Sequence, residues 1–439
     1  MKKAVKFGGS SLANAEQFKK VADIIKADSS RCYVVVSAPG KDKINTEKIT
    51  DLLYRFYDEL TGNKDYTTTW DKIKNRYLTI EKDLGLKKDL APEFAKIEED
   101  LKNGAGRAYA ASRGEYLCAL LVAEYLGFEF VDSAKMIFFH DDDTTNFEKS
   151  YKKVGKVLQD IPAAVIPGFY GSKDDGTIMT FTRGGSDVTG SLVAKGAGVD
   201  MYENWTDVSG FMVADPRIVN ECRVIESITY EELRELSYMG ASVLHEDAFF
   251  PVRKDGIPIN IKNTNAPEDP GTLIVESTCK DSEYTITGIA GKKGYCSVNV
   301  DKPMMNSEVG FCMKVLEVFK DNNMSIEHMP SGVDTMSVVV HQKEFEENEQ
   351  QIISGIHRAV KPDTVVVDTG IALIAVVGRG MKSAQGTAGR IFSALAHAGV
   401  NIKMIDQGSS ELNIIIGVKD SDFETAIRAI YDIFVDTEQ

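Results

Sequence analysis

Two glycine-rich turns, each beside a basic side chain, contain residue types that bind anions. The first turn, Gly8-Gly9-Ser10, follows Lys6, and the second, Arg183-Gly184-Gly185, precedes Ser186 and Asp187. An anion can approach the main chain of a glycine closely, and the amino terminus of a following helix favours negative charge. For the second turn alone, an ordinary strand-to-helix turn with a surface arginine remains an alternative. Together the two turns predict a site for a doubly anionic set of substrates.

The sequence predicts a strand before each glycine turn and a helix after it. Ala4 to Phe7 and Thr177 to Phe181 have the composition of short strands, and a capped amphipathic helix begins near Asn14. The first turn has neither the spacing of a P-loop nor that of the dinucleotide-binding fingerprint. Ligands of open parallel sheets bind beyond the carboxyl ends of the strands, so several polar turns at such ends predict one crevice.

Further strands and helices predict the fold class of the first part of the chain. Arg31 to Val36 is a continuous apolar run, typical of a parallel strand buried on both faces, and Met201 to Trp205 forms another strand before a polar turn. Strands alternate with helices over about 265 residues, which predicts an α/β domain with a mainly parallel open sheet sandwiched by helices. Residues from about 54 to 102 have helical spacing and predict a helical insert or lid; a solvated helical scaffold is the equal alternative.

The segment Ser112-Arg113-Gly114-Glu115 precedes an apolar helical pattern, so we expect Glu115 at the start of a helix. A glutamate in that position often only interacts with the helix dipole. Spacing alone therefore does not assign it a function.

A turn-rich segment, Asn263 to Gly271, is the best candidate for a domain boundary. Beyond it the chain repeats itself: Gly310 and Gly386 lie 76 residues apart, and SVVV at 337–340 corresponds to NIII at 413–416. Each copy predicts a small α+β unit of the βαββαβ type. We predict a catalytic domain over 1–275 and a regulatory region over 276–439, with repeats at about 297–365 and 370–439.

The composition excludes several classes of partner. The chain has 439 residues, 43% hydrophobic content and a net charge of -15, which disfavours binding to nucleic acid or to anionic membrane surfaces. Without a signal-like or membrane-spanning apolar segment, we expect a cytoplasmic protein. Six cysteines without CxxC spacing predict free thiols.

The ordered motifs KFGGSS, SRGE, FTRGGSD and ENWTDVSGFMVADPR, followed by the tandem repeat, resemble the aspartokinases of the amino acid kinase family, whose C-terminal repeats are ACT domains. The resemblance covers essentially the whole chain and implies a monofunctional enzyme, since no dehydrogenase domain follows. It implies ATP-dependent phosphorylation of the β-carboxylate of L-aspartate to β-aspartyl phosphate, the first step towards lysine, threonine and methionine. This nucleophile is ionised at neutral pH and needs no general base, and the four motifs contain no histidine.

The resemblance also implies roles for individual residues. Met212 and Ala214 stand where many relatives carry tyrosine and threonine, so their contacts with ATP are expected to be apolar or through the main chain. No residue is assigned to Mg²⁺, which we expect to be held mainly by phosphates and water. The catalytic residues would be Lys6 and Asp187. The aspartate-binding residues would be Thr50, Glu115, Arg183, Gly184, Gly185 and Ser186, with Ser37 a weaker candidate. The ATP-binding residues would be Lys6, Gly8, Gly9, Ser10, Thr206, Asp207, Met212, Arg217, Ser242 and Val243.

The ACT-like repeats imply an amino-acid effector, with lysine the first choice and threonine, alone or with lysine, the second. Glu327 would receive the effector ammonium, although Phe311 could be core and Glu308 solvated. We expect a homodimer through the ACT domains, and possibly a dimer of dimers. The implied effector residues are Met305, Glu308, Gly310, Phe311, Ser325, Ile326 and Glu327.

Two other functions remain open at this point. Another amino acid kinase, such as an acetylglutamate or glutamate kinase, would share the sheet and the lysine-glycine start. A non-catalytic amino-acid sensor built on ACT domains would share the C-terminal repeat. Lys6, Arg183 and Asp187 argue against the sensor.

Overall fold

The structure is a computed structural model that describes residues 1–182, 184–241, 246–277 and 284–435. Three residues with an expected role in binding, Arg183, Ser242 and Val243, lie outside the described residues. Within the described part of the chain, no helix is both long and apolar enough to cross a membrane.

Strands and helices alternate through the first part of the chain. The helices are α1 (Ala15–Ala27), α2 (Ile49–Thr61), α3 (Thr67–Leu84), α4 (Ala91–Lys102), α5 (Arg107–Leu126), α6 (Phe147–Leu158), α7 (Gly185–Gly196), α8 (Tyr230–Tyr238) and α9 (Glu246–Arg253). The strands are β1 (Lys3–Phe7), β2 (Arg31–Val36), β3 (Glu129–Phe130), β4 (Ala164–Pro167), β5 (Tyr170–Ser172), β6 (Ile178–Thr180), β7 (Met201–Thr206), β8 (Ser227–Thr229), β9 (Ile259–Asn263) and β10 (Thr272–Val275).

Eight of these strands form one sheet in the order β3-β4-β2-β1-β7-β9-β10-β8. All neighbouring pairs are parallel except β9 with β10, so the predicted mainly parallel sheet is confirmed. The buried strands β1 and β2 lie at its centre, as the continuous apolar run of β2 predicts for that strand. The strand before the second glycine turn differs from the expectation, because β6 pairs with β5 in a separate antiparallel hairpin and not with the main sheet.

The segment expected to be a helical insert consists of α3 and α4, preceded by α2. Trp70, Ile73 and Tyr77 of α3 and Phe94 of α4 are buried in the same hydrophobic core as the side chains of β1 and β2. These helices therefore contribute to the folded core, whereas the scaffold alternative expected them to be solvated.

The last part of the chain contains a second sheet. Its strands are β11 (Gly288–Asp301), β12 (Thr335–His341), β13 (Thr364–Val377), β14 (Met404–Asp406) and β15 (Asn413–Lys419); its helices are α10 (Phe311–Asp321), α11 (Gln342–Val360), α12 (Thr387–His397) and α13 (Phe423–Val435). The five strands are antiparallel in the order β12-β11-β13-β15-β14, so both sequence repeats contribute to one sheet.

The chain divides into two compact units. The first comprises Met1–Phe211, Val224–Tyr230 and Ser242–Thr278, and the second comprises Met212–Arg223, Glu231–Ala241 and Cys279–Gln439. Two short segments that precede residue 275 thus belong to the second unit.

Candidate active site

The side chains of Lys6, Asp187 and Asn204 meet at the carboxyl end of the central strands. Lys6 on β1 lies opposite Asn204 on β7 in the parallel register, and Asp187 belongs to the first turn of α7. Lys6 Nζ is 2.5 Å from Asp187 Oδ1, and Asn204 Nδ2 donates to the same carboxylate oxygen at 2.8 Å. Lys6 is only 7% exposed, so its ammonium is held in place largely away from water.

Asn204 was not singled out from the sequence. It lies within the ENWTD motif and interrupts a buried strand with a polar side chain, which was the available signal. Its Oδ1 also accepts a long hydrogen bond of 3.4 Å from Lys6 Nζ. Asn204 therefore links both residues expected to be catalytic.

The first glycine turn packs tightly against the turn that follows β2. A Cβ atom on Gly9 would lie 2.9 Å from the carbonyl oxygen of Ala38, and Gly40 N donates to Gly9 O at 2.8 Å. The Gly8 amide donates to Trp205 O at 3.1 Å and so continues the sheet. Ser10 is exposed at the start of a short 3-10 turn.

The second glycine turn begins α7. Gly184 has φ of 57°, a left-handed conformation that favours glycine, and it precedes the first residue of the helix. A Cβ atom on Gly185 would lie 2.6 Å from Cδ2 of Phe169, so the close approach of this ring also requires glycine. Ser186 is 8% exposed and packs against Gly168. Asp187 N donates to Gly184 O at 2.8 Å, so the turn fixes the position of the residue that pairs with Lys6.

Glu115 does not lie at a helix start, so that expectation is wrong. α5 begins at Arg107, eight residues earlier, and continues through Gly114. A Cβ atom on Gly114 would lie 2.9 Å from Cβ of Ala38 and 3.2 Å from Cγ2 of Ile49. Glycine is present here because α5 packs closely on its neighbours, and not because the helix begins here.

The carboxyl group of Glu115 is buried and incompletely paired. The side chain is 5% exposed, and its Oε2 atom is buried without a hydrogen-bond partner among the described residues. Burial raises the pKa of Glu115 to about 8, and hydrogen bonding from the Ala38 backbone offsets only part of that effect. Thr50 lies in the first turn of α2, next to Ile49, whose side chain contacts α5 at Gly114. The structure therefore brings the start of α2 close to the segment that bears Glu115.

Beyond Lys6 and the first glycine turn, the residues expected to bind the nucleotide fall into three groups. Thr206 ends β7, where its hydroxyl oxygen accepts a hydrogen bond from Val208 N at 3.1 Å, and Asp207 beside it is exposed. Met212 and Arg217 belong to the second unit, in which Arg217 is exposed and pairs with Asp215 at 2.6 Å. Ser242 and Val243 are outside the described residues. Thr206, with Asp207 directly after it, thus lies at the carboxyl end of the strand that pairs with β1 at Lys6.

Around the first helix of the repeat, the residues expected to bind an effector have different environments. Met305 and Phe311 are buried in the core of the first repeat, which supports the core interpretation of Phe311. Gly310 has φ of 79° and precedes α10. Glu308 is not simply solvated, because Lys302 and Lys314 lie 2.5 and 2.8 Å from its carboxylate and lower its pKa to about 2.

The second group of expected effector residues lies between α10 and β12. Ser325 is exposed, and Ile326 is partly buried against the core. Glu327 accepts a hydrogen bond of 2.5 Å from the hydroxyl of Tyr238, which lies in the same unit, and its carboxylate is 3.7 Å from Nε2 of His341. Its side chain is 7% exposed, so a bound ammonium would replace or join these partners.

No group of three or more His, Cys, Asp or Glu side chains suited to a metal ion occurs among the described residues. The Asp187 carboxylate already pairs with Lys6. This donor set fits a magnesium ion whose ligands come mostly from phosphate oxygens and water.

Comparison with known proteins gives matches for both parts of the chain. Residues 1–263 match the model of the amino acid kinase family, and residues 374–434 match that of an ACT domain. Aspartokinase 3 of Bacillus subtilis (strain 168) is 36% identical over 98% of this chain and 98% of its own length. The crystal structure of Clostridium acetobutylicum aspartate kinase superposes with a TM-score of 0.90, at 48% identity and with 99% of each chain covered. A structure of Escherichia coli aspartokinase III in complex with lysine and aspartate shares the fold, with a TM-score of 0.74 at 23% identity and 99% coverage of each chain.

Proposed function

The chain belongs to the aspartokinases of the amino acid kinase family, and from this premise we propose that it transfers the γ-phosphoryl group of ATP to the β-carboxylate of L-aspartate. The observation that carries the proposal is the pair of the buried Lys6 and the partly buried Asp187, which lie next to the two glycine turns in the sequence, as Lys6-Phe7-Gly8-Gly9 and Gly184-Gly185-Ser186-Asp187. A fixed cation beside main-chain turns suits a reaction that depends on positioning and on neutralising phosphate charge.

In the proposed reaction, an oxygen of the aspartate β-carboxylate attacks the γ-phosphorus. A new O–P bond forms, and the bond from the γ-phosphorus to the bridging oxygen breaks, so ADP leaves. Lys6 contacts oxygens of the transferred group, while Asp187 and Asn204 hold its ammonium in position. Magnesium, when bound, neutralises phosphate charge. The nucleophile carries no proton, so no general base is required.

Aspartate recognition is proposed to divide between two charged residues. Glu115 pairs with the α-ammonium, and Arg183 binds a carboxylate through its planar fork. The burial of Glu115 and its unpaired oxygen support this role, because a cationic ligand would supply the missing partner. The packing of α2 on α5 at Gly114 supports a role for Thr50, which lies in the first turn of α2.

Regulation is proposed to act through the second unit. Lysine is the first candidate effector and threonine the second, with Glu327 receiving the effector ammonium and the main chain at the start of α10 its carboxylate. Inhibition requires that the effector binds a less active state more tightly than the active one. We further propose that the ACT repeats form a homodimer, which light scattering on the purified protein tests.

The test of the function is aspartate-dependent ADP formation with MgATP, repeated with lysine, threonine and both together. We expect turnover that requires aspartate and that lysine suppresses. Turnover with acetylglutamate or glutamate in place of aspartate would identify another amino acid kinase. Lysine binding without any turnover would instead identify a sensor.

A further inference from the structure

Two adjacent residues of α3 donate hydrogen bonds to the main chain of two different active-site segments. Arg76 Nη2 donates to Gly40 O at 2.6 Å, and the hydroxyl of Tyr77 donates to Gly114 O at 2.8 Å. Gly40 packs on Gly9, and Gly114 immediately precedes Glu115. The inference drawn from these contacts rests on the proposed function of those segments.

Arg76 is connected to the first glycine turn through one residue, Gly40. Gly40 N donates to Gly9 O at 2.8 Å, and a Cβ atom on Gly40 would lie 2.6 Å from the carbonyl carbon of Gly9. The two main chains are thus in direct contact, so a shift of Gly40 moves the turn that follows Lys6. Close packing of this kind transmits small displacements.

Arg76 is an unfavourable residue to bury for stability alone. It is 6% exposed, and its Nε and Nη1 atoms have no hydrogen-bond partner among the described residues. Its nearest carboxylate, that of Asp42, is 3.6 Å from Nη2. A buried guanidinium with unpaired donors costs free energy, which its hydrogen bond to Gly40 O and its pairing with Asp42 must offset.

The loop held by Arg76 packs incompletely on α3, to which it is also joined at the surface by the ion pair of Lys72 and Glu47 at 3.0 Å. A cavity of about 650 Å³ is lined by Asp42, Thr46 and Ile49 from the loop and the start of α2, and by Arg76 and Thr79 from α3. Side-chain packing is therefore incomplete between the loop and α3. The Arg76 hydrogen bond bridges the two across this gap.

We infer that α3 positions both halves of the active site, with Arg76 fixing the glycine turn at the phosphate side and Tyr77 fixing the α5 backbone at the aspartate side. Tyr77 is completely buried and makes its hydrogen bond inside the core. Neither side chain is expected to touch a substrate. Both are positioning residues, and we expect their substitutions to change different kinetic constants.

Arg76→Met removes the donors and retains much of the apolar stem. We expect kcat/KM for ATP to fall by roughly ten- to a hundredfold, because small misplacements in an active site have effects of this size. The aspartate KM should change less than about twofold, and the melting temperature should fall, because Gly40 O and the Asp42 carboxylate each lose a partner. Arg76→Lys should recover part of the loss, since its ammonium can still donate to Gly40 O.

Tyr77→Phe removes only the hydroxyl group. We expect the aspartate KM to rise by roughly three- to tenfold, the size of one lost buried hydrogen bond, with the ATP KM unchanged. Lys74→Met is the matched control on the same helix, because Lys74 pairs with Asp71 inside α3. Its Michaelis constants should equal those of the wild type.

The measurements are initial rates of ADP formation against each substrate, together with thermal unfolding of every variant. The inference is overturned if Arg76→Met and Tyr77→Phe change the same constants in parallel, or if both change only the melting temperature. If the wild-type protein showed no aspartate-dependent turnover, the proposed function would fail separately. Titration calorimetry with MgADP then tests the inference: Arg76→Met should weaken nucleotide binding, and equal affinity in Arg76→Met and the wild type would refute the role of Arg76.

Discussion

Replacing Glu115 by glutamine tests whether this carboxyl group is protonated in the empty enzyme. Burial raises its pKa from 4.5 in the unfolded chain to about 8 in the folded protein. Because the folded protein holds this proton more tightly than the unfolded chain, the group contributes stability to the folded protein that is fully present below pH 4.5. This contribution is lost as the pH rises from 4.5 through 8. The loss between pH 5 and pH 8 amounts to about 3 kcal/mol at 1.36 kcal/mol per pKa unit. Glu115→Gln lacks this titration.

We therefore expect the free energy of unfolding of Glu115→Gln to increase relative to wild type by about 3 kcal/mol from pH 5 to pH 8. Both tryptophans of the chain, Trp70 and Trp205, lie in the first unit with Glu115, so their fluorescence in guanidinium follows that unit alone. Because all other titrating groups are the same in both proteins, the difference between their free energies of unfolding isolates the contribution of Glu115. Parallel pH profiles would refute the reasoning, since they would mean that Glu115 has the same protonation in the folded and unfolded chains.

Protonation of Glu115 should also weaken the binding of aspartate. An ammonium binds the ionised carboxylate, and a group with a pKa of about 8 is roughly one-tenth ionised at pH 7 and half ionised at pH 8. The aspartate KM of the wild type should therefore fall by about fivefold from pH 7 to pH 8. In Glu115→Gln it should be higher and nearly independent of pH over this range. An aspartate KM that Glu115→Gln leaves unchanged would contradict the ammonium role.

Three further substitutions test the remaining roles. Lys6→Ala should abolish aspartate-dependent ADP formation without changing tryptophan emission, and near-wild-type rates would remove Lys6 from the mechanism. Asn204→Leu should lower kcat by about tenfold at constant aspartate KM, because Asp187 loses the donor that holds it; an unchanged kcat would show that the Lys6–Asp187 pair needs no such support. Glu327→Gln should raise the lysine concentration for half-inhibition by about tenfold while uninhibited turnover stays the same, as one charge-assisted contact is lost. Equal sensitivity to lysine would place the effector ammonium elsewhere.

The local patterns of the sequence predicted the central strands and the glycine turns correctly. β2 contains a continuous apolar run, which is typical of a strand buried on both faces, whereas the apolar residues of β1 are interrupted by Lys6 and those of β7 by Glu203 and Asn204. The left-handed conformation of Gly184 likewise explains the glycine in the second turn. Such features depend on a few neighbouring residues, which are visible in the sequence.

Two expectations were wrong because packing between distant segments decided them. Gly114 was interpreted as part of a turn, yet it lies inside α5, where the side chains of Ala38 and Ile49 leave no room for a Cβ atom. β6 was expected in the main sheet and pairs with β5 instead. Both outcomes depend on contacts with segments that are distant in the sequence, which a local sequence pattern does not show.

The sequence by itself determined which residue types stand at the turns and in what order, and thereby the family and the class of chemistry. Only the tertiary structure decided which side chains meet: Asn204 faces Lys6 through the register of β1 and β7, and Arg76 reaches Gly40 from a separate helix. It also decided the charge of Glu115, whose ionised form is penalised because segments distant in sequence exclude water from it. The physical reason is that spacing along the chain is local, whereas register, burial and pKa depend on neighbours that only folding brings together.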